Sequence, residues 1–282
     1  MKDKQMTVLI NKKEIKFFNF SGGECQVSVD DIPLGAEIEV TAYLHNADDI
    51  MRLLLTIDAI RRIKGGSAHI NLVTPYIPYA RQDRVCNNGE ALSIAVMAGL
   101  INNLGCARVT ILDPHSDVTP ALIRNAHIIT QAQLIADSAA MCALIRDKSL
   151  TLIAPDAGAE KKIGSLEKAL HTKGINALAM FATKRRDVRN GTILETIIPA
   201  NVAGKNFLIA DDICDGGKTF TELAAKLKEH GAHEIYLYVT HGIFSKGLDV
   251  LKTHISHIYC FHSFIKNTDS SFLTILEDVS CV

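Results

Sequence analysis

The stretch LIADDICDGGKTF, residues 208–220, sets two adjacent acids at the end of an apolar run and follows them with a glycine pair, a lysine and a threonine. Gly217, Lys218 and Thr219 match the close of a nucleotide P-loop, but the first glycine of that pattern falls on Asp212, with Asp211 and Asp215 to either side. Carboxylates repel a bare triphosphate and accept readily from the vicinal hydroxyls of a sugar. The spacing therefore reads as a ribose-phosphate site. Asp211 and Asp212 take the hydroxyls, and backbone N–H groups across Asp215, Gly216, Gly217, Lys218 and Thr219 hold a phosphate at a helix start. An acidic strand-to-helix turn capped by Thr219 is the plainer alternative. The residues that follow, TFTELAAKLKEHG, space Phe220, Leu223, Ala224 and Leu227 along one helical face and stop at Gly231.

Other chemistry-bearing residues also follow apolar runs. Arg81, Gln82, Asp83 and Arg84 come after INLVTPYIPY. A planar cation, an amide and a carboxylate can read a base and phosphates, although solvated charged loops share that composition. Asp113 and His115 come after RVTIL, two apart and so on one side of an extended segment. Magnesium prefers oxygen ligands, which leaves a structural role open for the histidine. Asp156 and Gly158 follow LTLIAP; Lys184, Arg185 and Arg186 follow ALAMFAT, where an extended chain sends Lys184 and Arg186 the same way. Open α/β sheets bind ligands beyond the C-terminal ends of their strands, and every candidate falls at such a place.

The elements that must position these residues come from 282 residues, enough for two ordinary domains. Thirty Lys plus Arg against thirty-one Asp plus Glu leave a net charge of −1. That excludes a global basic field for nucleic acid, so phosphate chemistry must be local. Seven cysteines, with no C-x-x-C pair, argue against a disulfide framework or zinc ribbon and for a reducing compartment. No apolar run reaches 18 residues and the N-terminal MKDKQMTVLINKKE has no apolar signal core. A soluble, cytoplasmic protein with no membrane partner is expected.

Residues 7–45 read as β-structure, in EIKFFNF, CQVSVD and EIEVTAYLH. A helix over DDIMRLLLTIDAIRRIKG, a strand over HINLVTPYI, a helix over ALSIAVMAGLINNLG and a strand over ARVTILDPH follow, and residues 119–146 read as mostly helical. The rhythm restarts with LTLIAPD, KKIGSLEKALHTKG, INALAMFAT, GTILETII, KNFLIADD, the helix above and EIYLYVTHG. Alternating strands and helices with apolar strands predict a parallel sheet in each half, covered on both faces.

Taken in order, these residues resemble the ribose-phosphate diphosphokinases, also called phosphoribosyl-pyrophosphate synthetases, from about Phe20 to Gly247. FSGGE at 20–24, ARQDR at 80–84, DPH at 113–115, PDAGA at 155–159, KRR at 184–186, DDICDGGKT at 211–219 and THG at 240–242 carry the resemblance. It implies an α/β fold of two phosphoribosyltransferase-like domains, each a mostly parallel sheet flanked by helices: 1–130 on the ATP side and 131–282 on the ribose-phosphate side. It implies a transferase that moves the diphosphoryl group of MgATP to the anomeric hydroxyl of ribose 5-phosphate, giving phosphoribosyl pyrophosphate for nucleotide biosynthesis, and AMP. By the resemblance, Lys184 and Arg186 are catalytic, and Phe20, Glu24, Arg81, Gln82, Asp83 and His115 bind ATP. Asp156 joins Asp211, Asp212, Asp215, Gly216, Gly217, Lys218 and Thr219 at the ribose phosphate, and Asp113, His115 and Asp156 serve Mg2+. It also implies a homo-oligomer, at least a dimer, in which the FSGGE segment completes the ATP site of a neighbouring subunit.

The chain departs from the family pattern. Gly22 replaces an acid, the loop VCNNGEALS lacks the usual Lys and Arg, Gly216 replaces a threonine and Lys218 a glycine, and the segment before FSGGE is short. The loops at 85–92 and 186–191 are expected to close over the site. ARQDRVCNNGEALS with DPHSDVTPAL is similar to a branch associated with nicotinamide phosphoribosyltransferases, which implies a role in NAD synthesis. Diphosphoryl transfer to a larger 5-substituted ribose such as ADP-ribose, a phosphoribosyltransferase, and an inactive regulatory homologue are the alternative readings.

Overall fold

A computed structural model describes residues 8–30, 35–156, 158–181, 183–186, 193–198, 201–265 and 271–276. The chain divides into two units, Met1–Ile129 and Thr130–Cys281. In the first, β1 (Val8–Ile10), β2 (Lys13–Glu14), β3 (Phe17–Asn19), β4 (Cys25–Val27) and β5 (Glu37–Ala42) precede α1 (Ala47–Lys64). Then β6 (His69–Val73), α2 (Ser93–Asn103), β7 (Arg108–Leu112), α3 (Val118–Leu122) and β8 (Ala126–Ile129) alternate. The sheet runs β2-β1-β5-β6-β7-β8, parallel from β5 to β8. Strand β5 alternates, burying Ile38, Val40 and Ala42. Helix α1 starts at Asn46, whose side chain accepts the Asp49 N–H; its acids lie in the first turn and Arg61, Arg62 and Lys64 in the last, as the helix dipole favours.

In the second unit α4 (Gln131–Asp137) and α5 (Ala139–Asp147) lead to β9 (Thr151–Ala154), α6 (Glu160–Thr172) and β10 (Ala179–Phe181). An antiparallel ribbon, β11 (Thr183–Arg186) with β12 (Ile193–Ile197), precedes β13 (Phe207–Cys214), α7 (Lys218–Glu229), β14 (Ile235–Gly242), β15 (His257–Ser263) and β16 (Leu273–Ile275). The main sheet, β10-β9-β13-β14-β15-β16, is parallel throughout. Every residue of β14 is buried, the burial expected of a central parallel strand. Helix α7 puts Phe220, Leu223, Ala224 and Leu227 into the core, the face that the spacing predicts.

Two features go beyond the expectations. The span 119–146 is mostly helical, in α3, α4 and α5, but β8 interrupts it, entered through Asn125 at φ 56° and paired along its length with β7. A four-residue apolar run carries too little periodicity to separate strand from helix. The sheet also continues past Gly242 into β15 and β16, which the sequence reading did not reach. Among the described residues no helix is long and apolar enough to cross a membrane.

A Cβ at Gly242 would run into the buried Phe244 ring. Gly242→Ala should therefore destabilise the protein by about 1–3 kcal/mol, the range for overpacking a tight core. Chemical denaturation measures this, and an unchanged midpoint would contradict the packing.

Candidate functional site

The acids sit inside the last turn of the sheet rather than beyond it. Asp211 and Asp212 are successive residues of β13, which continues to Cys214, and their carboxyl groups are close enough to interact. Asp212 is buried, with Lys162 of α6 at 3.8 Å. Asp211 is half-buried and its Oδ1 accepts the Asp212 N–H at 2.9 Å. Burial, reinforced by the charges of Asp212 and Asp156, pushes the Asp211 carboxyl well above its ordinary value. Asp156 follows β9, and its Oδ1 accepts the N–H groups of Gly158 (2.9 Å) and Ala159 (3.3 Å), shaping the turn into α6. Cys214 lies beside these acids, but burial and the charges of Asp215 and Asp211 push its thiol up to about 12, so it packs rather than reacts.

The turn after β13 is set for an anion. Gly217, at φ 78°, stands at the cap position before α7, and no side chain caps the helix. The Phe220 and Thr221 N–H groups already donate to the Gly217 carbonyl (3.1 and 3.0 Å), which leaves those of Lys218 and Thr219, ahead of the first helical bond, to face a phosphate. Thr219 lies within the helix and is not its cap. A Cβ on Gly217 would come 2.9 Å from Leu251 Cδ2, so the position needs glycine for both its φ and its space. The segment after β14 fastens the turn: Ile243 and Phe244 donate N–H bonds to the Cys214 carbonyl (2.8 and 3.0 Å), and Ser245 donates to that of Asp215 (3.1 Å). Lys218 pairs with Glu222 at 3.6 Å, with its side chain 86% exposed. His241 and His262 are buried edge to face, their ring centroids 5.7 Å apart.

Lys184 and Arg186 belong to β11, and the pairing with β12 shifts register between Arg185 and Arg186. The regular pairing that strict alternation requires is interrupted there. The side chains of both residues, and loop residues 187–192, lie outside the described part.

In the first unit, FSGGE forms the tip of the β3–β4 ribbon: the Phe20 N–H donates to the Glu24 carbonyl (2.8 Å) and the Gly23 N–H to the Phe20 carbonyl (2.9 Å). A Cβ at Gly22 would stand 2.6 Å from Glu24 Oε2, so the Glu24 carboxylate fills the space of the missing side chain. Phe20 is 56% exposed. Arg81 and Gln82 are exposed and Asp83 is half-buried. The Gln82 carbonyl accepts the Ile94 N–H at 3.4 Å, tying this turn to α2. The loop at 85–92 is organised around Glu90, which accepts the Cys86 and Asn87 N–H groups (3.0 Å each) and Asn87 Nδ2 (2.6 Å). Those bonds, the Asn87 side chain's first, hold its carboxyl below its ordinary value. Asp113 is buried at φ 38° and His115 is exposed. The extended segment thus ends at Leu112, and the two residues do not share one face of a strand.

Among the described residues no group of three His, Cys, Asp or Glu is arranged to hold a metal. A carboxylate such as Asp156, at the turn after β9, is the kind of oxygen donor that suits a magnesium ion taking most of its ligands from substrate phosphates and water. Sequence reasoning missed Lys162, His262 and Lys246. None stands in a recognisable motif, and each is brought in by tertiary structure. The Lys246 stem lies against Gly216, its Cδ and Cε 3.7 Å from where a Cβ would stand.

Comparison with known proteins converges on one family. Residues 5–105 match the N-terminal domain of ribose phosphate pyrophosphokinase, and residues 190–258 match the phosphoribosyl synthetase-associated domain. The ribose-phosphate pyrophosphokinase of Hyphomonas neptunium is 31% identical over 245 residues, covering 84% of this chain and 73% of that protein. The Cereibacter sphaeroides protein of the same name is 36% identical over 235 residues, covering 80% of this chain and 66% of its own length. The crystal structure of phosphoribosylpyrophosphate synthetase from Mycobacterium smegmatis shares the fold, with a TM-score of 0.74 over 93% of this chain and 85% of that one, at 24% identity. That likeness fixes the α/β fold class, parallel sheets flanked by helices in two phosphoribosyltransferase-like domains.

The raised Asp211 gives a pH signature. Its neutral form contributes stability fully below the unfolded carboxyl value, about 3.9, and that contribution is lost as pH rises through the higher folded value. Asp211→Asn should then be more stable than the parent near pH 7, with the difference shrinking as pH falls towards about 4. Denaturation across that range is the check, and a difference independent of pH would contradict the desolvated acid.

Proposed function

Because the chain belongs to the ribose-phosphate pyrophosphokinase family, we propose that it transfers the diphosphoryl group of MgATP to the anomeric hydroxyl of ribose 5-phosphate. The observation that carries this reading is the acid pair Asp211–Asp212 set beside an uncapped helix start at Gly217. A bond forms between the anomeric oxygen and the β-phosphorus, the bond to the oxygen bridging the α and β phosphates breaks, and AMP leaves with that oxygen. The hydroxyl proton is released. Such a transfer needs positioning and charge stabilisation more than covalent help from the protein.

In this reading the ribose hydroxyls donate to Asp211 and Asp212, and those bonds favour the ionised form that burial alone disfavours. The N–H groups of the Asp215–Thr219 turn, with Gly216, Gly217 and Lys218, take the 5-phosphate. Lys184 and Arg186 stabilise charge developing on the transferred group. Arg81, Gln82, Asp83 and His115 bind ATP, and Phe20 and Glu24 serve the ATP site of a neighbouring copy, so the working form is a homo-oligomer. Residues 1–130 are the ATP-side domain and 131–282 the sugar-side domain. Asp113, His115 and Asp156 are the proposed protein contacts of Mg2+, which when bound neutralises phosphate charge. The patterns ARQDRVCNNGEALS and DPHSDVTPAL support use of the product in NAD synthesis. The six described cysteines are free thiols, which supports a cytoplasmic setting.

Lys184→Ala should lower turnover by at least ~10²-fold, the cost of removing one preorganised charge-stabilising donor, with the KM for the sugar little changed. Steady-state AMP release measures both, and near-normal turnover would remove Lys184 from the chemistry. Mixing Glu24→Ala protein with Lys184→Ala protein should restore part of the lost activity through hybrid sites. Activity no greater than the sum of the two separate proteins would rule out completion by a neighbour.

A further inference from the structure

We propose that Lys246 is a phosphate-binding residue of the acceptor site, its ammonium gripping the phosphoryl group on the 5-carbon of the ribose. The inference rests on the reading of the Asp215–Thr219 turn as a sugar-phosphate cradle. Lys246 lies far from that turn in sequence and is carried to it by the loop that follows β14. Its Cδ and Cε come within 3.7 Å of the Cβ position of Gly216, an ordinary packing distance, and no side chain at 216 stands between the lysine and the turn.

The placement is built into the backbone. Ile243, Phe244 and Ser245 are bonded to the carbonyls of Cys214 and Asp215, at the entry to the cradle. The Gly247 N–H donates to the Phe244 carbonyl at 2.8 Å, with Phe244 at φ 48° and Gly247 at φ 72°, closing a tight turn that contains Lys246. Phe244 and Leu248, on either side, are buried. The main chain at Lys246 is thereby anchored while the ammonium stays on an exposed, adjustable stem.

Charge selects this lysine over its neighbours. Lys218 is engaged by Glu222, Lys252 by Asp249 at 3.0 Å, and Lys162 by Asp212. Among the described residues no carboxylate stands within ion-pair distance of Lys246. A cation with no acidic partner among the described residues, on a stem that lies against Gly216 beside the helix start, complements a phosphate, and charge-assisted bonds of that kind are the strong ones. Ribose 5-phosphate offers a terminal dianion and ADP-ribose a singly charged internal phosphate. The chemistry on which Lys246 acts is common to both.

The test is equilibrium binding by calorimetry, without ATP, of ribose 5-phosphate and separately of ADP-ribose to the full chain, Lys246→Met and Lys246→Arg. Lys246→Met should weaken the ligand that the parent binds by at least ~10-fold, about 1.4 kcal/mol, and Lys246→Arg should stay within about threefold of the parent. Equal affinity in parent and Lys246→Met, an equal loss in both variants, or a parent that binds neither ligand would overturn the proposal. A loss confined to ADP-ribose, the parent not binding ribose 5-phosphate, would support Lys246 while overturning the choice of acceptor above. Acceptor-dependent AMP release by the parent tests the transfer reaction independently of Lys246.

Discussion

The eight-residue strands β13 and β14 run parallel and in register from Phe207 opposite Ile235 to Cys214 opposite Gly242, and the candidate sugar site hangs on that ladder. Because both strands end together, the two loops that leave them start side by side. Their backbones then bond directly, with Ile243, Phe244 and Ser245 donating to Cys214 and Asp215. The turn that opens α7 is thus braced from outside by a second loop. Close packing fixes the brace: Phe244 lies over Gly242, and Leu251 lies against Gly217. Neither glycine can gain a Cβ without displacing a buried side chain, so the shape of the cradle and the packing of the core are one constraint.

Against that brace the sheet holds charge that folding alone does not favour. Asp211 is surrounded by burial and by Asp212 and Asp156, with Lys162 reaching Asp212 but not neutralising the group as a whole. A folded protein tolerates such strain where a ligand relieves it. The proposed ligand, a sugar phosphate, would bring hydroxyls to the carboxylates and a phosphate to the N–H groups and the lysine. In the proposed reaction the residues that depress apo stability near neutral pH are the ones that orient the acceptor.

Much of this was legible in the chain. The acid pair, the glycine turn and the helical face of Phe220, Leu223, Ala224 and Leu227 lie within one contiguous segment, where spacing translates directly into geometry. Strand β8 was not legible, because AHII is too short to show a period, and β15 and β16 fell beyond the last motif. Asp113 and His115 were read as partners on one extended strand, a relation that the left-handed backbone at Asp113 breaks. Lys162 and Lys246 could not be read at all: each is an ordinary lysine until α6 packs beside β13, or the loop after β14 folds back over Gly216. The gap left at Gly22 was visible, but not that the Glu24 carboxylate turns back to fill it.

The proposed reaction moves two phosphoryl groups as one unit onto a ribose that carries a phosphate. The most direct measurement is 31P NMR of the purified protein with MgATP and ribose 5-phosphate, following all phosphorus species through the reaction. AMP and a new diphosphorylated sugar are expected in equal amounts, formed only when ribose 5-phosphate is present. ADP with a singly phosphorylated product, or AMP with free pyrophosphate independent of the sugar, would contradict it.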